Sequence, residues 1–131
     1  MKILDSDHCV AILQGTLDLS RLAPDEELAT TAINVGELAQ GVAKSQRAQK
    51  NQERLDVLLA ALTILAYDEW SARSFGRLKA QLEQAGEAIS DADLQIACIA
   101  LNQNAPMVSH NQKHFARLTR YAGLAQEDWL G

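Results

Sequence analysis

The sequence predicts an α/β domain built on a mostly parallel sheet of four to five strands flanked by helices, spanning residues 1–131 as one unit. Three observations carry this. Short apolar segments, each ending in polar residues, alternate along the chain with longer runs of helical periodicity. The helical runs lie between successive strand candidates, as crossovers in a parallel sheet require. The run Ala88 to Leu101 is apolar at Leu94, Ala97, Cys98 and Leu101 and again at Ile96, Ile99 and Ala100, so it is expected to be buried on most sides.

The chain opens with a strand candidate at Lys2 to Leu4 that ends on Asp5. A helix is expected within His8 to Gln14, stopping at Gly15, and a short turn or helix at Leu17 to Leu22 before Pro24. Glu27 to Ile33 has strand composition. Asn34 then reads as the cap of a helix running through Val42, with Glu37 as its third residue. Ala43 to Leu62 reads as a second long helix, apolar at Leu55, Leu58, Leu59 and Leu62. Its first half carries Lys44, Arg47, Lys50 and Arg54 as one basic stripe, a candidate for phosphate contacts and equally the solvated face of an amphipathic helix. Thr63 to Ala66 is the third strand candidate. Asp68 caps a helix to about Gln84, ended by Gly86. After the apolar helix come a fourth strand candidate at Pro106 to Ser109, a short helix holding Phe115 and Leu118, and a tail in which Trp129 is an anchor. Trp70 is expected to pack.

Composition narrows the classes. An apolar fraction of 47% and a charged fraction of 22% are ordinary for a globular protein. No apolar run approaches the roughly 20 residues that span a bilayer. There is no signal-peptide pattern at the start, so a cytoplasmic protein without membrane association is expected. Cys9 and Cys98 sit in apolar helical segments and are expected to be buried, reduced thiols. A net charge of −5 argues against a general nucleic-acid coat. It leaves room for a nucleic-acid enzyme whose site must itself be acidic to hold a metal.

Ligands of open parallel sheets bind beyond the carboxyl ends of the strands. Four separated segments bring acids or amides to that edge: Asp5 and Asp7, then Asn34 and Glu37, then Asp91 and Asp93, and finally Ser109, His110 and Asn111. Each has a local explanation. Ser90 with Asp93 makes a capping box, Asn34 with Glu37 another, and Asp7 can cap the first helix. One metal site accounts for all four together. Carboxylates gathered closely repel, and a divalent cation removes the conflict; all-oxygen ligands favour Mg²⁺ or Mn²⁺. His8 and His110 flank the expected site, and either is exposed or available to touch a ligand. His114 is expected at the surface.

The stretches ILDSDHCVAIL, TTAINVGELAQGV, ISDADLQIACIAL and MVSHNQKHF, with the ending AGLAQEDW, resemble the PIN-domain ribonucleases, and within them the VapC-type toxins of toxin–antitoxin pairs. The resemblance covers essentially the whole chain. It implies a metal-dependent endoribonuclease in which Asp5, Glu37 and Asp93 bind Mg²⁺ or Mn²⁺, a metal-activated water is the nucleophile, and Ser109 and Asn111 complete the site. It also implies an RNA substrate, a homodimer, and a cognate antitoxin filling a groove beside the helical pair Asn34 to Leu62. Asp7 stands where the family commonly has asparagine and is a possible further ligand, as is Asp91. Asn111 stands where an acid is common and cannot supply charge, so it is expected to orient water or a ligand.

Two rival readings accompany this one. The pair Asp5 and Asp7 in ILDSD also resembles the opening motif of haloacid-dehalogenase-type phosphatases, with Asp5 as nucleophile and Asp7 as acid/base. A catalytically silent PIN-like module that only binds RNA or protein is the other.

Overall fold

The computed structural model describes residues 1–19 and 25–130. Five strands alternate with six helices in the described residues: β1 (Lys2–Leu4), α1 (Ser6–Leu13), β2 (Leu28–Thr31), α2 (Ala32–Lys44), α3 (Ala48–Ala60), β3 (Thr63–Leu65), α4 (Glu69–Gln84), α5 (Asp91–Gln103), β4 (Met107–Val108), α6 (Gln112–Ala122) and β5 (Gln126–Glu127). The strands form one sheet in the order β3-β2-β1-β4-β5, and every pairing is parallel. The α/β class and parallel sheet are as the sequence predicts. The expected turn at Leu17 to Leu22 lies partly outside the described residues.

Alternation along the short central strands builds the two halves of the core. Ile3 of β1 and Met107 of β4 pair in register and point into one apolar cluster, with the inner faces of α4, α5 and α6. The next residues, Leu4 and Val108, point to the opposite face and pack with Cys9, Leu38, Leu55, Leu58 and Leu62 from α1, α2 and α3. Both cysteines are free and buried. Burial pushes the Cys9 thiol up to about 12 and the Cys98 thiol to about 11, so both stay protonated and unreactive at neutral pH.

Several boundaries differ from the sequence expectation, each for a local reason. Thr31, not Asn34, caps α2: its hydroxyl accepts the Asn34 amide at 3.1 Å. Glu37 therefore lies well inside α2 and has no capping role. The long helix expected over Ala43 to Leu62 is broken, because the Ser45 hydroxyl takes the Val42 carbonyl at 2.6 Å while the Ser45 backbone turns extended. The four basic residues consequently do not share one helix. Lys44 ends α2, Arg47 precedes α3, and Lys50 and Arg54 lie on α3. All four are exposed. Trp70, expected to pack, is 48% exposed on α4. α1 begins at Ser6, directly after β1, rather than at His8. β5 carries no strand-like composition; it is held by backbone bonds, the Met107 amide to the Ala125 carbonyl and the Ser109 amide to the Glu127 carbonyl, each 2.9 Å.

Candidate active site

Sheet order places the site. From β1 the chain adds β2 and β3 on one side and β4 and β5 on the other, so the connections diverge between β1 and β4. That divergence opens a crevice at the carboxyl ends of those two strands. Leu4 and Val108 are partners across the crevice, so the next residues, Asp5 and Ser109, meet: Ser109 Oγ donates to Asp5 Oδ2 at 2.7 Å. Both residues are buried. Asp5 Oδ1 accepts from the Ser6 amide at 2.9 Å and from Asn34 Nδ2 at 2.8 Å. Three donors thus fix a carboxylate that has no cationic partner in the described residues. Burial dominates these hydrogen bonds and raises the Asp5 pKa above the usual aspartate value, with the Asp7 charge adding to the rise.

Glu37 arrives from α2. Ser6 Oγ donates to Glu37 Oε1 at 3.2 Å, and Asn34 Nδ2 lies 3.5 Å from the same oxygen. The Glu37 pKa is also raised, first by burial and then by the charge of Asp5, with Asp93 and Asp7 contributing. Glu37 thus senses all three aspartates, and the acids share one electrostatic environment. Asn34 is fully buried, and its side chain ties the group together. Its Oδ1 accepts from Thr31 Oγ1 at 2.7 Å, which turns its Nδ2 toward Asp5, Ser6 and Glu37.

Asp93 sits in the first turn of α5. Ser90 Oγ accepts the Asp93 amide at 3.2 Å, so half of the expected capping box forms. The other half does not. The Asp93 carboxylate reaches α6 instead, where Oδ2 meets Asn111 Nδ2 at 3.1 Å and His114 Nδ1 at 2.7 Å. The Ser109 hydroxyl accepts the Asn111 amide at 3.0 Å, which links the two halves of the site.

The remaining acids have other partners. Asp91 pairs with Lys79 at 2.9 Å on the surface. Both oxygens of Asp7 are engaged: Oδ1 by the His8 amide and His8 Nδ1, each 2.7 Å, and Oδ2 by the His110 amide at 2.9 Å. Burial alone would raise the Asp7 pKa, but the His8 and His110 contacts outweigh it and hold Asp7 below the usual value. His8 is wholly buried, contrary to the exposed position expected for it, and its Nε2 accepts the Trp129 amide at 3.0 Å. Because Asp7 can only accept, His8 carries its proton on Nδ1. His110 is exposed, as expected, and bonds Asp128 at 2.8 Å. Trp129 meets the His8 ring edge-on at 6.0 Å, so the tail is anchored as expected.

Sequence reasoning missed Ser6 and His114 as parts of this site. It brought Asn34 to the same edge but gave it only a capping role; the structure gives the cap to Thr31 and turns the Asn34 amide to Asp5 instead. For His114, one turn after the Asn111 turn residue, only the spacing from Asn111 could have placed it near Asp93. The phosphatase reading finds Asp7 fully engaged by His8 and His110. Among the described residues, no three His, Cys, Asp or Glu side chains stand together as a ready-made metal cage.

An open parallel sheet with an acidic crevice at its divergence point defines the class of protein. A PIN domain model matches residues 3–121. Ribonuclease VapC2 of Rickettsia felis is 34% identical over 132 residues, covering 97% of this chain and 96% of that protein. Ribonuclease VapC1 of Haemophilus influenzae (strain R2866) is 32% identical over 111 residues, covering 85% of this chain and 81% of its own length. Superposition on a crystal structure of VapBC2 from Rickettsia felis bound to a DNA fragment from their promoter gives a TM-score of 0.88 at 33% identity, over 98% of each chain. The structure of VapBC-1 from nontypeable Haemophilus influenzae gives 0.86 at 27% identity, over 99% of this chain and 98% of that one. The chain therefore belongs to the PIN domain family, among the VapC ribonucleases.

Proposed function

We propose that this protein is an Mg²⁺- or Mn²⁺-dependent endoribonuclease acting as the toxin of a toxin–antitoxin pair. The observation that carries the chemistry is the shared electrostatic environment of Asp5, Glu37 and Asp93, which raises the pKa of Glu37 beside an aspartate that has no cationic partner among the described residues. Such a cluster is costly when fully ionised, and a divalent cation offsets that cost. The donor set is all oxygen, which fits a hard cation that keeps several of its waters and takes only a few carboxylates.

In this reading Asp5, Glu37 and Asp93 hold the ion. When bound, it would acidify a coordinated water and stabilise charge on the scissile phosphate and leaving oxygen. The chain's other residues set the geometry. Ser109 and Asn34 grip Asp5 from two sides, Ser6 orients Glu37, and Asn111 holds Asp93. Asp7 and Asp91 serve as partners of His8 and Lys79 rather than as ligands. Lys44, Arg47 and Lys50 are exposed and free to approach an RNA backbone. The test is RNA cleavage by the purified protein. Cleavage is expected with Mg²⁺ or Mn²⁺, is expected to stop on chelation, and is expected to return when metal is restored. Cleavage unaffected by chelator would overturn the metal-dependent mechanism.

The regulatory half rests on a groove of about 580 Å³ that opens beside Glu37 and is lined by Val10, Leu13, Leu38, Gly41, Val42 and Arg54, among others. Its lining is mostly apolar, with Glu37 and Arg54 as its charged residues. That suits an antitoxin segment with apolar anchors and an arginine paired to the acid cluster. Solved relatives include VapBC assemblies with TM-scores of 0.88 and 0.86. Val10 is 39% exposed on the groove wall, so Val10→Lys disturbs little of the core. This variant should bind the partner recovered from the native host at least about tenfold more weakly, a loss of about 1.4 kcal/mol, while cleaving RNA as well as wild type. Unchanged affinity, measured by titration calorimetry, would place the partner elsewhere. A cytoplasmic homodimer completes the proposal. No helix among the described residues is long and apolar enough to cross a membrane.

A further inference from the structure

His114 touches the site without belonging to the expected ligand set. It lies on α6 and is partly exposed, with 35% of its side chain open to solvent. Nδ1 stands 2.7 Å from Asp93 Oδ2. An ionised carboxylate only accepts, so the shared proton lies on Nδ1. Asn111 Nδ2 reaches the same oxygen at 3.1 Å and lies 3.2 Å from Nδ1. Two donors therefore converge side by side on one carboxylate oxygen. Oδ1 of Asp93 is left without a protein donor among the described residues.

The clamp is rigidly mounted. Phe115, the next residue, is fully buried and is among the largest side chains in the core. α6 thus cannot rotate without opening the apolar cluster it shares with α5. On the other side, the Ser90 hydroxyl holds the Asp93 backbone. A capping box would turn the carboxylate back to its own helix. His114 and Asn111 pull it across to α6 instead.

We infer that His114 is a positioning residue, which by donating Nδ1–H to Asp93 Oδ2 fixes the carboxylate and would leave Oδ1 available to a bound metal. This rests on the proposed metal role of Asp93. Partners that orient a ligating group typically cost 10–100-fold in metal affinity when removed. The clamp is a matter of one donor at one place, so side-chain replacements separate it from bulk packing. Asparagine places an amide N–H close to where Nδ1 stands; glutamine places one near Nε2 and not at Nδ1.

The experiment is a Mn²⁺ titration of thermal stability for full-length wild type, His114→Asn, His114→Gln, His114→Ala and Asp93→Asn. Melting without metal is measured alongside to register any change in the fold itself. Wild type is expected to rise in melting temperature with Mn²⁺, as any protein does with a native-state ligand. His114→Gln and His114→Ala should need roughly tenfold or more Mn²⁺ for the same rise, and His114→Asn should stay near wild type. Equal Mn²⁺ midpoints in wild type and His114→Ala, with Asp93→Asn shifted, would overturn the inference and leave the metal site standing. Equal loss in His114→Asn and His114→Ala would also overturn it, because a donor at Nδ1 would then be irrelevant. No Mn²⁺ response in wild type would overturn the metal reading and the inference with it.

Discussion

Asp5→Asn is expected to lower RNA cleavage by about a thousandfold, equivalent to about 4 kcal/mol of barrier, while leaving the fold in place. The substitution keeps the side chain's shape. The amide oxygen can still accept from the Ser6 amide and Asn34 Nδ2, which lie 2.9 and 2.8 Å away. The amide nitrogen can donate to Ser109 Oγ, whose hydroxyl now donates to Asp5 at 2.7 Å. What disappears is one charge from the acid cluster. Burial already works against that charge, as the raised Asp5 pKa shows. The variant without metal should therefore be at least as stable as wild type. Loss of cleavage with melting unchanged or raised is the expected pair of results. Cleavage retained within about threefold would remove Asp5 from the catalytic set.

Phe115→Ala should carry the largest cost to stability, about 3–5 kcal/mol. Phe115 is fully buried where α6 meets α5 and the sheet. Removing its ring leaves a cavity that the helices can only partly close. In urea this corresponds to a midpoint lower by roughly 2 M, with little change in slope. Cleavage should fall as well, because α6 carries His114 and starts next to Asn111, the two residues that hold Asp93. A loss below about 1 kcal/mol would mean that α6 is not anchored by this side chain.

The layered architecture was legible because it rests on periodicity. Alternating apolar segments marked β1, β2, β3 and β4, and α5 announced itself through Leu94, Ala97, Cys98 and Leu101. The placement of Asp5 and Asp93 was legible for a related reason: Asp5 follows a strand and Asp93 opens a helix, and parallel topology sends those positions to one edge, whereas Glu37 comes from inside α2. What stayed hidden depends on contacts between distant segments. Thr31 and Asn34 are both good caps three residues apart, and only the Thr31 hydroxyl on the Asn34 amide decides between them. That choice frees Asn34 to hold Asp5, and it removes the local explanation for Glu37. Histidine is ambiguous for the same reason. His8 is buried because Asp7 and the Trp129 amide, 121 residues away, satisfy both ring nitrogens. His114 is drawn to Asp93 across the gap between two helices. β5 is a strand only because β4 offers it backbone partners.

The central claim is that Asp5, Glu37 and Asp93 serve one divalent ion. It is tested most directly by crystals grown with Mn²⁺, located by anomalous scattering at the manganese edge. The expected result is a peak between Asp5 and Asp93, within coordinating distance of both, with Glu37 bound directly or through one water. A peak held by Asp5 and Asp7 without Glu37, or no peak in this crevice at Mn²⁺ concentrations that support cleavage, would contradict it.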